Sequence, residues 1–277
     1  MNTKSKRIKT KTTWNSFFYV GLILTLILFA VVVVSFFWTP FEPTKVSAFE
    51  KMNAPSAAHL LGTDHLGRDV LSRIMSGIGT SFLIAVGVVA IGCIFGIIIG
   101  SLCGYYGGIP DLILTRICDT ITAFPAILLA LVIISIIGGG TYNIILVLGI
   151  LFIPSFARVV RTEFARIREL NYIQSARLMG ASNFRIIFFH ILPNTIPVLL
   201  PAIAIGFNNA VLSESSMSFL GIGVLPPQPS LGSMLKDSQN FLRNAPWCAV
   251  SSGCAIALLI LAFSLLSEGM MMAQRKK

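Results

Sequence analysis

Six long runs of apolar residues constrain this chain more than any other feature of its sequence. The first run, residues 17–38, holds no ionisable side chain. A helix of about 20 such residues crosses roughly 30 Å of hydrocarbon. The other runs cover residues 81–106, 112–137, 142–156, 195–212 and 245–267. The sequence therefore predicts an all-α integral membrane protein with six transmembrane helices.

The composition excludes the main soluble classes. Only 12% of the residues are charged and the mean hydropathy is +0.83, whereas soluble domains carry about 25% charged residues. A water-soluble enzyme and a disordered chain are both excluded. The net charge of +10 comes from residues that flank the apolar runs rather than from one basic patch with aromatic side chains. We therefore expect the lipid bilayer, and no nucleic acid, as a partner.

The basic residues also predict an orientation. With the amino terminus in the cytoplasm, 15 of the 21 Lys and Arg residues fall inside and 6 fall outside, as the positive-inside rule requires. Both termini are thus expected on the cytoplasmic side of a bacterial plasma membrane. The predicted segments are a basic tail at 1–16, a first transmembrane helix at 17–38, an extracytoplasmic segment at 39–80, a five-helix core at 81–269 with a cytoplasmic loop at 158–193, and a cytoplasmic tail at 270–277.

Four glycines in the second run lie on one helical face. Gly92, Gly96, Gly100 and Gly104 recur at intervals of four residues. Because glycine has no side chain, a second helix can approach such a face closely. The spacing predicts a packed helix interface here.

Ionisable residues are scarce inside the runs. Ion-coupled carriers keep acidic or histidine side chains at membrane depth, because a charge there is costly and is retained for function. Arg116 and Asp119, near the start of the third run, are expected to form a structural ion pair at a spacing of three residues. The pattern therefore does not favour a secondary carrier.

Motifs for catalysis are missing from the sequence. Lysine does not occur between Lys51 and Lys236, so a GxxxxGK[ST] phosphate loop cannot lie in the membrane region. His59, Asp64, His65 and Asp69 could be drawn as an outer metal cluster, but a polar surface loop has the same composition. We expect no enzyme, no catalytic residue, no metal site and no cofactor on this chain.

The predicted cytoplasmic loop contains a helical pattern. Asn171 is a candidate N-cap with Gln174 three residues later, and Gly180 suits a left-handed helix end. Ser182 is a candidate cap for a second helix at 183–191, which Pro193 is expected to end. Tyr172, Ala176 and Met179 form an apolar stripe on the first helix. That stripe fits either a partner protein or the cytoplasmic helix ends of the same chain.

This loop resembles the EAA signature of ABC importer permeases. Gln174, Ser175 and Ala176 are followed by Gly180 and then by residues 190–193, His-Ile-Leu-Pro. Gln and Ser replace the first Glu and Ala of the usual motif. Residues 61–69 (LGTDHLGRD), 123–125 (AFP) and 218–227 (SFLGIGVLPP) are similar to the second permease subunit of the dipeptide, oligopeptide and nickel importers. Leu231 departs from that pattern, which often has Trp before Gly232.

The resemblance implies a type I ABC importer permease fold and a set of partners. Such permeases pair with a homologous permease subunit as a heterodimer, dock two cytoplasmic ABC ATPases that bind ATP and Mg²⁺, and receive substrate from an extracytoplasmic binding protein. The implied ATPase-coupling helix comprises Asn171, Tyr172, Gln174, Ser175, Ala176, Met179, Gly180 and Ala181.

The cargo and the pore are less determined by the sequence. The resemblance implies a permease that forms half of a translocation pore for di- or oligopeptides, with nickel or another metal chelate as the alternative. Asn208, Asn209 and Glu214 are candidate pore or gate residues near the end of the fifth run. Hydrogen bonding between helices would explain the same three residues.

Overall fold

The computed structural model describes residues 16–275, and over this range the chain is a bundle of α-helices joined by loops. The basic residues of the predicted amino-terminal tail at 1–15, together with Lys276 and Lys277, lie outside the described residues. The helices are α1 (Ser16–Phe37), α2 (Val70–Tyr106), α3 (Gly108–Thr122), α4 (Ala126–Ile137), α5 (Thr141–Arg168), α6 (Asn171–Leu178), α7 (Asn183–Arg185), α8 (Leu192–Leu220), α9 (Leu231–Ser238) and α10 (Pro246–Arg275).

Within residues 16–275, five helical stretches are long and apolar enough to cross a membrane, and the number is six if a bent pair of helices counts as one span. The five are α1, α2, α5, α10 and the continuous stretch Asn183–Leu220, which contains α7 and α8. The prediction of a multi-pass helical membrane protein is confirmed. α3 and α4 form the bent pair, with an angle of 83° between them.

That bend corrects the prediction of one helix through residues 112–137. The chain breaks at Pro125, which lies between α3 and α4 and caps α4. Proline has no backbone N–H and disfavours helical geometry in the residue before it. Hydropathy depends on the number of apolar residues and not on the direction of the helix axis. The apolar run therefore predicted a single straight helix.

Two helices extend beyond their apolar runs. α2 begins at Val70, where the carboxylate of Asp69 accepts a hydrogen bond of 2.8 Å from the backbone N–H of Ser72. α5 continues past the membrane run to Arg168, because Arg, Ala and Glu favour helix in water as well. The first part of the predicted cytoplasmic loop is therefore a helical extension of α5.

The second helix of the predicted cytoplasmic loop does not end at Pro193. Ser182 caps it as predicted, with its hydroxyl accepting from the N–H of Arg185 at 3.3 Å. The helix then passes through a π-helical segment, Ile186–Ile191, and continues directly into α8. Pro193 lies just after the π-helical segment, and such a local change in helical hydrogen bonding accommodates a residue without an N–H. The prediction of a helix end at this proline is wrong.

The centre of the bundle is the α2–α5 pair, with α8 packed against both helices and α10 packed against α8. α1 packs mainly against α10. The start of α1 meets the last part of α10 at Gly269, where an added Cβ would lie 2.5 Å from the Cα of Phe18. The face of α1 that points away from this contact exposes large apolar side chains such as Ile23 and Leu26, as a lipid-facing helix does.

Candidate functional site

The four predicted glycines lie on the contact between α2 and α5. A Cβ added to Gly92 would lie 2.9 Å from the Cβ of Phe152, and one added to Gly100 would lie 2.5 Å from the carbonyl oxygen of Ala157. Gly96 and Gly104 meet Phe156 Cβ and the Arg161 carbonyl oxygen, each at 2.5 Å. Two of these contacts are with backbone, so the helices are as close as their main chains allow. α2 and α5 therefore form one packed unit.

Helix α6 turns one apolar edge towards the bundle. Ile173 is fully buried and Ala176 is 8% exposed. Tyr172 and Met179, which the sequence placed on one stripe with Ala176, are 45% and 81% exposed. The buried edge is thus Ile173 with Ala176, three residues apart, and the predicted stripe is split between the two sides of the helix.

The start of α6 also differs from the prediction. Leu170 occupies the N-cap position with no side-chain cap, and Asn171 is the first helical residue. Asn171 and Gln174 are exposed, so they form no capping box. Ser175 donates to the carbonyl of Asn171 at 2.9 Å, a bond within the helix.

The end of α6 is a tight left-handed turn. Gly180 has φ +84°, a conformation that costs a residue with a Cβ about 1 kcal/mol or more. The N–H of Gly180 donates to Arg177 and that of half-buried Ala181 donates to Ala176, at 3.0 and 3.1 Å. No atom lies within 4 Å of a Cβ added to Gly180. The glycine is thus required by backbone geometry rather than by space.

A side-chain contact ties α6 to α8. Asn194 donates to the hydroxyl of Tyr172 at 3.3 Å and to the carbonyl of His190 at 2.6 Å. Together with the buried Ile173, this contact fixes the orientation of α6 on the bundle. Tyr172 therefore has a partner inside the chain, in addition to its exposed ring surface.

Large apolar side chains are exposed around α6, beside the exposed polar residues Gln174, Ser175 and Arg177. Leu178 is 90% exposed. Phe184 and Phe189, in the helical segment that follows α6, are also largely exposed. The sequence analysis did not single out these three residues. The sequence did contain a signal for them, because each is a large apolar side chain in a segment that the predicted topology places in water. We call these exposed apolar side chains, Tyr172, Leu178, Met179, Phe184 and Phe189, the α6 apolar set.

A groove runs along the side of the bundle where α3 and α4 meet α5 and α8. Its volume is about 710 Å³. Phe124 and Pro125 at the bend, Phe152 and Phe156 on α5, and Asn209 on α8 are among its lining residues. None of the described residues that line it is ionisable. The groove is thus an apolar passage with a few hydroxyl and amide groups.

The three candidate pore residues separate in the structure. Asn209 is exposed and lines the groove. Asn208 faces α10, where its amide, oriented with nitrogen towards Ile260, donates to that carbonyl and accepts from the N–H of Ser264, each at 3.2 Å. Glu214 is fully buried and lies away from the groove lining.

Glu214 is held by hydroxyl groups. Ser81 of α2 donates to one carboxyl oxygen at 2.8 Å, and Ser218 donates to the other at 2.7 Å. Ser218 also accepts from the N–H of Val224. Glu214 therefore joins α2, α8 and the loop after α8.

The polar residues at positions 59–69 make separate pairs and a stacking contact rather than one common site. His59 Nδ1 lies 2.8 Å from Asp69 Oδ1, and Asp64 accepts from Arg68 Nε at 2.6 Å. His65 stacks on Phe241 with ring centroids 5.0 Å apart. Within residues 16–275, no three metal-ligating side chains come together.

The predicted pair of Arg116 with Asp119 is replaced by contacts between helices. Asp119 lies 3.2 Å from Arg158 Nη2, and Asp111 accepts from Arg161 Nη2 at 2.7 Å. The arginines are on α5 and the acids are on α3. These pairs hold the first half of the bent pair against α5, which the local spacing of three residues could not reveal.

Comparison with known proteins agrees with this architecture. Residues 96–277 match the family model described as binding-protein-dependent transport system inner membrane component. The chain is 37% identical over 273 residues to the glutathione transport system permease protein GsiD of Pectobacterium atrosepticum, covering 96% of this chain and 91% of that protein. It is 35% identical over 256 residues to the dipeptide transport system permease protein DppC of Alkalihalophilus pseudofirmus, covering 92% and 84%.

Solved structures show the same fold. An inward-facing structure of the MetNI methionine ABC transporter matches with a TM-score of 0.58 at 20% identity, covering 74% of this chain and 96% of the matched chain. A crystal structure of an amino acid ABC transporter with histidines matches with a TM-score of 0.56 at 17% identity, covering 73% and 94%. The family match covers more than half of the chain and the sequence relatives span nearly all of it, so this protein belongs to the family of binding-protein-dependent transport system inner membrane components.

Proposed function

We propose that this chain forms half of the translocation pore of an ATP-driven peptide importer and receives its driving force through α6. Two cytoplasmic ABC ATPases would bind ATP and Mg²⁺, a homologous permease subunit would complete the pore as a heterodimer, and an extracytoplasmic binding protein would deliver the substrate. Both termini would lie in the cytoplasm. The relatives whose names mention glutathione and dipeptides support peptides, rather than nickel or another metal chelate, as the cargo.

The observation that carries the proposal is the exposure of the α6 apolar set. Leu178 and Met179 are 90% and 81% exposed on a helix that Ile173 and the Tyr172–Asn194 contact fix to the bundle. An exposed apolar patch on a rigid element is typical of a protein-binding surface. A rigid helix that is docked in a moving ATPase would carry that movement into α5 and α8, the helices on either side of it.

The groove is the proposed substrate path. Asn209 contributes an amide where a peptide backbone would pass. The lack of ionisable lining residues suits cargo whose side chains vary in charge. Selection would then occur at the binding protein rather than in the pore.

The test is transport by the complete complex. The chain is purified from native membranes through an affinity tag, and the complex is reconstituted in vesicles with its binding protein and a radiolabelled dipeptide. We expect two ATPase subunits and a second permease to co-purify, and uptake to require ATP and no ion gradient. Uptake by this chain alone, driven by a proton or sodium gradient, would overturn the proposal in favour of a secondary carrier.

A further inference from the structure

Tyr105, the last residue but one of α2, lies at a junction of four helices. Its side chain is only 4% exposed although it stands in the last turn of its helix. The Tyr105 hydroxyl donates a 2.7 Å hydrogen bond to Oδ1 of Asn183, the first residue of α7. The guanidinium carbon of Arg177 on α6 lies 5.7 Å from the centre of the tyrosine ring. Arg168, the last residue of α5, donates to the Tyr105 carbonyl at 3.0 Å.

These contacts surround the segment that contains α6. Arg168 precedes it, Arg177 lies on it and Asn183 follows it. The covalent chain connects α6 only to α5 and to the α7–α8 stretch, so a force on α6 reaches those helices directly. Tyr105 adds a connection to α2, which has no covalent link to the segment.

We propose that Tyr105 is a positioning residue that ties the α6 segment to α2, so that movement of α6 displaces α2 together with α5. The proposal rests on the function proposed above, in which α6 receives the force of ATP hydrolysis. The α2–α5 interface makes such movement concerted, because backbone contacts at Gly100 and Gly104 leave no room for the helices to slide independently. The hydroxyl bond to Asn183 is the part of this connection that a substitution can remove alone.

The test uses Tyr105→Phe in the reconstituted complex. Phenylalanine keeps the buried ring and its contact with Arg177 but cannot donate to Asn183. We measure ATP hydrolysed per peptide imported, at equal amounts of assembled complex, with a radiolabelled dipeptide as cargo. A net intramolecular hydrogen bond typically corresponds to a change of several-fold in an equilibrium. We expect the ratio of ATP hydrolysed to peptide imported to rise roughly fivefold, which is about 1 kcal/mol at 1.4 kcal/mol per factor of ten.

Asn183→Ala tests the same bond from its other end. Asn183 is exposed, so its replacement leaves no cavity, and Ser182 retains the helix cap. We expect Asn183→Ala to raise the ratio as Tyr105→Phe does, and the double variant to equal either single variant, because both remove one interaction. Tyr106→Phe is the matched control, since Tyr106 is 54% exposed on the same turn and its hydroxyl should not matter.

The outcomes are separable from those of the proposed function. A wild-type complex without ATP-dependent uptake would overturn the proposed function itself. If the wild-type complex couples ATP hydrolysis to uptake, and the Tyr105→Phe complex has the same ratio of ATP hydrolysed to peptide imported, only the role of Tyr105 is overturned. Fully additive effects of Tyr105→Phe and Asn183→Ala would also overturn it, because the two groups would then act separately.

Discussion

The α2–α5 interface and the outward face of α6 are two helical surfaces that this chain treats in opposite ways. At the first, Gly92 to Gly104 bring α5 so close that main chain meets main chain. At the second, Leu178 and Met179 extend away from the bundle with almost no cover. One surface is completed by the chain itself and the other is left open. The difference separates the residues that hold the fold together from those that, in our proposal, receive a partner.

The largest expected effect is at the completed surface. Gly100→Leu places a side chain where an added Cβ already lies 2.5 Å from the Ala157 carbonyl, so α2 and α5 must separate. We expect a loss of about 3 kcal/mol or more in stability, seen as little folded protein in detergent and a lower thermal midpoint. Gly253→Leu on α10 is the matched control, because no atom lies within 4 Å of its added Cβ. Equal stability of the two variants would mean that the close contact does not hold the fold.

The turn that presents the open surface comes next. Gly180→Val forces a β-branched residue into φ +84°, at a cost of roughly 1–2 kcal/mol. The helix should then be misplaced, and substrate-stimulated ATP hydrolysis and uptake should both fall by at least about fivefold. Gly180→Asn, which tolerates the left-handed region better, should retain most activity. Normal uptake by Gly180→Val would contradict a role for the rigid turn in coupling.

The open surface itself should tolerate substitution without loss of the fold. Leu178→Ser should change the stability of the chain by less than about 0.5 kcal/mol, because the side chain is 90% exposed. Its affinity for the ATPase should nevertheless fall by about tenfold, as expected for an apolar anchor. Ile173→Ala on the buried edge should do the reverse, costing about 2–5 kcal/mol in stability. Titration of the ATPase onto detergent-solubilised permease measures the first effect, and thermal unfolding measures the second.

The smallest expected effect is at the ion pair between α3 and α5. Asp111 and Arg161 are 21% and 40% exposed at their side chains, so water competes for both charges. Arg161→Gln should cost about 1 kcal/mol or less in stability. The loss should shrink further at high salt, which screens exposed charges. A cost as large as that of Gly100→Leu would show that the bent pair, rather than the α2–α5 interface, is the main support of α5.

The sequence predicted the spans and the glycine face well, because both depend on local composition and spacing. It missed the bend at Pro125, since an apolar run carries no information on direction. It predicted an ion pair between Asp119 and Arg116, whereas in the structure Asp119 pairs with Arg158 on another helix. Contacts between distant residues depend on the packing of whole helices, and spacing along one helix cannot supply them.

The segment around α6 shows the same division between what local sequence predicts and what it does not. The left-handed turn at Gly180 and the cap at Ser182 follow from single residues, and the sequence placed both. The sequence pattern does not determine which edge of α6 is buried. A stripe of Tyr172, Ala176 and Met179 fits helical spacing as well as the pair Ile173 and Ala176 does. Only the position of the bundle decides which edge is buried. For that reason the predicted stripe groups the buried Ala176 with the exposed Tyr172 and Met179 and omits the exposed Leu178.

Site-specific crosslinking from the open surface tests the central claim most directly. The five native cysteines are first replaced, and a single cysteine is introduced by Leu178→Cys on the outward side or by Ile173→Cys on the buried side. A thiol-reactive photocrosslinker is attached in the assembled complex. We predict that Leu178→Cys links to an ATPase subunit and that Ile173→Cys links only within this chain. Absence of any ATPase crosslink from Leu178→Cys, in a complex that imports peptide, would contradict the claim that α6 is the docking element.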